Sequence, residues 1–169
     1  MPPTVYARQE SAFGPLLLLA RDGCLTGLYF ADRPHAPGIS SAWRHEDAAL
    51  IFAQVARQIA EFAAGQRTSF SIPFSVTSTP FQRLVWRDIA AIPFGETRSY
   101  DDLAARLGAF PRAIGHAVGR NPISLIVACH RVTGSSGALT GYAGGLERKE
   151  QLLDLERRVS FATCHAIAA

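Results

Sequence analysis

Apolar positions are spaced differently in the two halves of the chain. Near the N-terminus, Pro15–Leu19 and Cys24–Phe30 are short apolar runs joined by a turn at Arg21-Asp22-Gly23, which predicts two paired strands. A loop rich in Pro, Gly and Ser follows from Asp32 to Ser41. From Glu46 to Ala64 the apolar residues Ile51, Val55, Ile59 and Phe62 recur at helical spacing, with Gly65 as the stop. Ser69–Pro73 reads as one more strand, and the Ser- and Thr-rich stretch Ser75–Pro80 as a linker. Beyond it the helical period takes over. One helix runs from Phe81 to near Pro93, with Leu84, Val85, Ile89 and Ile92 as its apolar face. Ser99 opens another, its N-terminus favoured by Asp101 and Asp102, with Leu103, Ala104 and Leu107 inward. Gly108–Pro111 turns into a short helix, Arg112–Gly119.

After that helix, Ile123–Ala128 is apolar but for Ser124 and reads as a buried strand. The glycine-rich segments Gly134–Gly137 and Gly141–Gly145 suggest a hairpin or wing, and a last helix spans Leu146 to about Arg158 with Leu152, Leu153 and Leu155 apolar. The fold class is therefore α/β: a small sheet-plus-helix domain over residues 1–76, then a helical domain over residues 77–169. Helix, tight turn and helix make the second part a helix-turn-helix candidate.

Charge and cysteine usage sharpen this picture. Up to residue 79 six arginines meet six acids; from residue 80 onward eleven basic residues meet eight acids, so the net charge of +3 lies in the second part. A basic domain beside a neutral one suits a polyanionic partner. Lys149 is the only lysine, a bias that a G+C-rich genome also produces. The three cysteines, Cys24, Cys129 and Cys164, are an odd number without paired spacing, which argues against a disulfide framework or zinc site and for the cytoplasm. No signal peptide or membrane-spanning run is expected, and Cys24 and His35 are too scattered to propose a metal.

Candidate chemistry lies at Cys129-His130, at the end of the buried run. A lone cysteine is often an apolar core residue. A thiol with a neighbouring imidazole to take its proton is also a nucleophile.

The surrounding residues decide between these. In order they are Thr79-Pro-Phe-Gln82, Val85-Trp86, Ile92-Pro93, Gly95, Ser99-Tyr100, Leu103-Ala104, Arg112-Ala-Ile-Gly115 and Asn121-Pro122. Then come Cys129-His-Arg-Val132, Gly141-Tyr-Ala-Gly-Gly-Leu146, Lys149, Leu152-Leu153 and Glu156. This ordered set resembles the O6-alkylguanine-DNA alkyltransferases over roughly residues 78–156.

The resemblance implies a winged-helix-like DNA-binding domain and a single-turnover, irreversible transfer of a methyl or other alkyl group from guanine O6 to Cys129. His130 would act as base through a water and Glu156 would orient it. Asn121 would tie the recognition segment to the active-site strand, and Tyr100 would help protonate the leaving guanine. The target nucleotide would be flipped out of the duplex, with Arg112 filling the gap and the small residues Ala113, Gly115 and Ala117 against the minor groove. Val132, Thr140, Tyr142 and Ala143 would line the substrate pocket: the carbonyls of Cys129 and Val132 accept from the guanine amino group and the Ala143 N–H faces O6. Arg131 would brace the site. No cofactor is required; the partner would be double-stranded DNA containing O6-alkylguanine, bound by a monomer.

The chain departs from the family pattern twice. Ala128 replaces the usual proline before the cysteine, and the turn from Gly108 to Arg112 is about two residues short. The rival reading is a non-catalytic alkylguanine-DNA sensor. A Cys-His hydrolase on an unrelated fold leaves Arg112 and Asn121-Pro122 unexplained.

Overall fold

A computed structural model describes residues 2–167, with side chains described through residue 164. The chain forms two compact units. The first extends to Thr77 and takes in Pro122–Ile126; the second comprises Ser78–Asn121 and the chain from Val127 onward. The path thus passes between units after Thr77, after Asn121 and after Ile126, where the sequence suggests a single boundary.

In the first unit, strands β1 (Val5–Gln9), β2 (Leu16–Arg21), β3 (Cys24–Phe30) and β4 (Arg44–His45) form a sheet of order β3-β2-β1-β4. β1–β2 and β2–β3 are antiparallel and β1–β4 is parallel. Leu16–Ala20 of β2 are all buried, which accounts for an unbroken apolar run in an inner strand. Helix α1 (Leu50–Ala63) buries Ile51, Phe52, Val55, Ile59 and Phe62, the period the sequence shows. Phe62 packs edge-on against Phe13 and tilted against Phe70.

Two expected strands are not strands. Ser69–Pro73 is irregular, and only Phe74 makes an isolated bridge, to Leu25. Ile123–Ala128 is a loop with one bridge, Ile123 to Leu28. Its backbone is satisfied by Leu28 N–H donating to Pro122 O and Ser124 N–H to Leu28 O, and Leu125 sits at φ 70°. The apolar run reports burial, which a buried loop shares with a strand. Both bridges lie on the edge of β3 away from β2, where they occupy groups an exposed edge would leave open.

The second unit is mostly helical. Helix α2 (Pro80–Ala90) starts from a Thr79–Gln82 capping box with Pro80 in its first turn, and buries Val85, Trp86 and Ile89. Leu84, expected inward, is 43% exposed, one position off that stripe. Strand β5 (Arg98–Ser99) pairs in parallel with β6 (Val132–Thr133). Helix α3 (Tyr100–Leu107) is capped by reciprocal Ser99 and Asp102 bonds and ends at Gly108 in the left-handed conformation, φ 61°. Three residues later α4 (Pro111–Gly119) begins. Trp86 Nε1–H donates to Ala117 O at 2.8 Å, locking α2 to α4. Gly134–Ala138 closes as a turn, so glycines that suggested a wing build turns and not a strand hairpin. Helix α5 (Leu146–Ile167) runs well past Arg158. No helix among the described residues is long and apolar enough to cross a membrane.

Candidate active site

Cys129, His130 and Arg131 form a single 3-10 turn immediately before β6. Ala128 enters it with φ −74° and ψ 58°, and Cys129 N–H donates back to Val127 O at 2.7 Å. This is an inverse γ-turn centred on Ala128. It aims the next three side chains into the helical unit, where all three are buried.

Asn121, after α4, holds the turn from the side. Its Nδ2 donates to Val127 O at 2.9 Å and to Cys129 Sγ at 3.2 Å. The thiol is only 3% exposed. Burial pushes its pKa up, while the Asn121 hydrogen bond and the positive charge of Lys149 pull the other way.

His130 Nε2 lies 2.7 Å from Glu156 Oε1, both side chains fully buried. Burial holds the imidazole pKa below its ordinary value, against the opposing pull of Glu156, so the ring is neutral at neutral pH. An ionised carboxylate only accepts, so the ring proton resides on Nε2 and Nδ1 is left as the acceptor. Nδ1 is buried and has no hydrogen-bond partner among the described residues.

Glu156 is itself heavily constrained. Arg131 donates from Nε to Oε1 (3.1 Å) and Oε2 (3.0 Å), and from a terminal nitrogen to Oε1 (3.0 Å). Gly95 N–H donates to Oε2 at 2.8 Å. Burial alone would raise the carboxyl pKa; the bonds to His130 and Arg131 outweigh it and hold it below the usual range. Arg131 also donates to Ile92 O at 2.8 Å and so anchors the carboxylate to the turn after α2, bracing the site.

The remaining expected residues are placed as follows. Tyr100, at the start of α3, points its hydroxyl toward Gly141 O at 3.5 Å; burial first, then the nearby Cys129, raises its pKa. The Tyr142 ring stands edge-on to His130 at 6.4 Å between centroids, and its phenol is pushed well up by burial. Ala143 is half-buried beside it and Thr140 is exposed. Val132 is buried, and both its carbonyl and that of Thr140 accept from Lys149 Nζ. The Cys129 carbonyl accepts from Val132 N–H.

On α4, Arg112 and Ala113 are exposed, and the Arg112 side chain makes no ion pair or hydrogen bond among the described residues. Gly115 is half-buried near the Tyr100 ring. Ala117 is the exception: at 2% exposure, with its carbonyl engaged by Trp86, it belongs to the α2–α4 packing and offers no surface to DNA. Its small size serves helix contact.

Two further residues that the sequence gives no role contact the site. Lys149, fully buried, joins the carbonyls of Val132, Thr140 (2.7 Å) and Gly141 (3.4 Å), and burial lowers its pKa to about 8. Its place in the ordered set that resembles the family, and its being the sole lysine in an arginine-rich chain, are the signals the sequence offers. Gly95 has φ +82°, and a Cβ there would lie 2.2 Å from Ser160 Oγ, so the donor to Glu156 must be glycine.

Comparison with known proteins agrees with this geometry. Residues 80–158 match the family described as 6-O-methylguanine DNA methyltransferase, DNA binding domain, and residues 4–76 its ribonuclease-like domain. A methylated-DNA--protein-cysteine methyltransferase of Mycolicibacterium paratuberculosis is 45% identical over 160 residues, covering 94% of this chain and 95% of its own. One from Methanosarcina acetivorans is 40% identical over 89% of this chain and 97% of its own. Among solved structures, Mycobacterium tuberculosis OGT in complex with DNA superposes with a TM-score of 0.83 at 39% identity, over 92% of this chain and 94% of that one.

Proposed function

This chain belongs to the methylated-DNA--protein-cysteine methyltransferase family, and from that premise we propose how its own residues carry out the transfer of an alkyl group from O6-alkylguanine in DNA to cysteine. The observation that carries the assignment is the buried chain of contacts Asn121–Cys129 and His130–Glu156–Arg131, with His130 Nδ1 as its one open acceptor.

Cys129 is the nucleophile. Its proton passes, through a water, to His130 Nδ1, which Glu156 keeps in the accepting tautomer. The thiolate attacks the alkyl carbon in line; the S–C bond forms as the C–O6 bond breaks. The guanine leaves with the electron pair and takes a proton, delivered at N3 by Tyr100. A thioether is not reversed by these groups, so each molecule acts once. Lys149 supports the step twice: its charge favours the thiolate, and its three carbonyl bonds tie the Thr140–Gly141 turn to β6.

The partner is double-stranded DNA carrying the lesion, engaged by a monomer through α4. The O6 atom is inside the base stack, so the nucleotide is flipped into the pocket bordered by Val132, Thr140, Tyr142 and Ala143, while Arg112 fills the gap. Ala113 and Gly115 keep the helix surface low for close approach to the minor groove. Transfer to a free thiol is supported by a reducing compartment, which favours the cytoplasm.

With excess duplex containing a labelled O6-methyl group, label on the protein should level off at one methyl per molecule, and Cys129→Ser should take up none. Lesion-selective binding by the unaltered protein without any uptake would instead identify a sensor.

A further inference from the structure

The most exposed aromatic residue described in the helical unit stands where α3 turns into α4. Phe110 is 81% exposed and occupies the N-cap position of α4; its carbonyl accepts from Ala113 and Ile114 N–H, while its ring meets no other aromatic ring or cation among the described residues. Phenylalanine cannot cap a helix, and here no side-chain cap bond is made, so local structure does not account for it. Its mounting is nevertheless rigid. Gly108 is fixed in the left-handed conformation, Ala109 N–H donates to Ala104 O at 2.9 Å, Phe110 is extended (φ −94°, ψ 143°), and Pro111 follows in the first turn. An apolar ring is thus held in water two residues before the exposed Arg112, inside the segment that matches a DNA-binding domain.

We propose that Phe110 is a second wedge of the DNA interface, its ring stacking on the base pair that borders the gap left by the flipped nucleotide. The inference rests on the alkyltransferase reading above and deepens it. Apolar side chains inserted at base steps partly unstack them, and stacking on an aromatic face repays part of that cost. Arg112 fills the vacated position with charge and hydrogen bonds; the phenyl ring covers the exposed face of the neighbouring pair. Because the recognition turn is short, this ring lies at the tip of α4 itself.

The test compares single-turnover transfer from an O6-methylguanine duplex with transfer from O6-methylguanine as the free nucleobase, which needs no flipping. The ratio of the two rates cancels any general loss of active protein. Phe110→Ala should lower the duplex-to-nucleobase ratio about tenfold, and Phe110→Trp should restore it. The salt dependence of duplex binding should not change, because no phosphate contact is removed. A ratio unmoved by Phe110→Ala, or a Phe110→Trp protein no better than the alanine variant, overturns the proposal. An unaltered protein that takes no methyl from either substrate overturns the parent reading and this inference with it.

Discussion

His130 donates from Nε2 to Glu156 Oε1 across 2.7 Å in a fully buried pair, and this contact sets which imidazole nitrogen can act as a base. Glu156→Gln reverses the logic. Its amide can donate to Nε2, which moves the ring proton to Nδ1 and removes the acceptor. The transfer rate should fall on the order of 10²–10⁴-fold, the usual contribution of a positioned base. Arg131 would lose its counter-charge as well, so the variant should unfold about 3–5 kcal/mol more easily. Single-turnover rates and urea denaturation check the two parts separately.

The pH profile follows from burial. The His130 pKa lies below 6.5 in the folded protein, so the base stays neutral, and transfer holds its rate, through pH values at which an exposed histidine would already be protonated. The unfolded chain takes up this proton first as pH falls. His130 therefore contributes stability that is present above pH 6.5 and is lost progressively as pH drops from there toward its folded value. Rates and thermal midpoints from pH 5 to pH 8 should show the midpoint falling at a higher pH than the rate.

Lys149→Met should push the Cys129 thiol still higher, because the positive charge that now offsets burial is gone. The measurement is an ultraviolet thiolate titration of the variant and its parent, in a Cys24→Ser, Cys164→Ser background. An unchanged Cys129 titration would remove Lys149 from the account of the thiol.

Ala128 occupies backbone that proline accepts: φ is −74°, and its N–H donates no hydrogen bond among the described residues. Ala128→Pro should stabilise the protein by about 0.4–1 kcal/mol, acting chiefly on the unfolded chain. The inverse γ-turn already forms with alanine, so the transfer rate should change little.

Gly95→Ala should cost about 1–3 kcal/mol, since it combines a positive-φ strain with the collision at Ser160. Adding Ser160→Gly relieves the collision and leaves the strain. The double variant should therefore recover only part of the loss in a denaturation series.

These residues also mark how far the sequence is legible. The Ser99–Asp102 box, Gly108 and Pro111 are local signals, and the helix-turn-helix follows from them. The buried run of β2 and the period of α1 are equally local. Strand β1 escaped because Val5–Gln9 is short and half polar, and its pairing is settled by β2 and β4. Ile123–Ala128 misled because apolar character measures burial and not backbone form. Cys129, His130, Asn121 and Glu156 are singled out by the resemblance to the alkyltransferases, and the fold brings them together. Gly95 stands in the same ordered set, but its contact with Glu156 needs the fold, since the two meet across 61 positions. Ala117 shows the reverse error, a small residue assigned to the DNA face that instead lets α2 and α4 meet.

Whether Cys129 receives the alkyl group is decided by peptide mass spectrometry after reaction with an O6-methylguanine duplex. One added methyl is expected, located on the peptide carrying Cys129, with unmodified guanine left in the DNA. A methyl found on Cys24 or Cys164, or a protein of unchanged mass beside an intact lesion, would contradict transfer to Cys129.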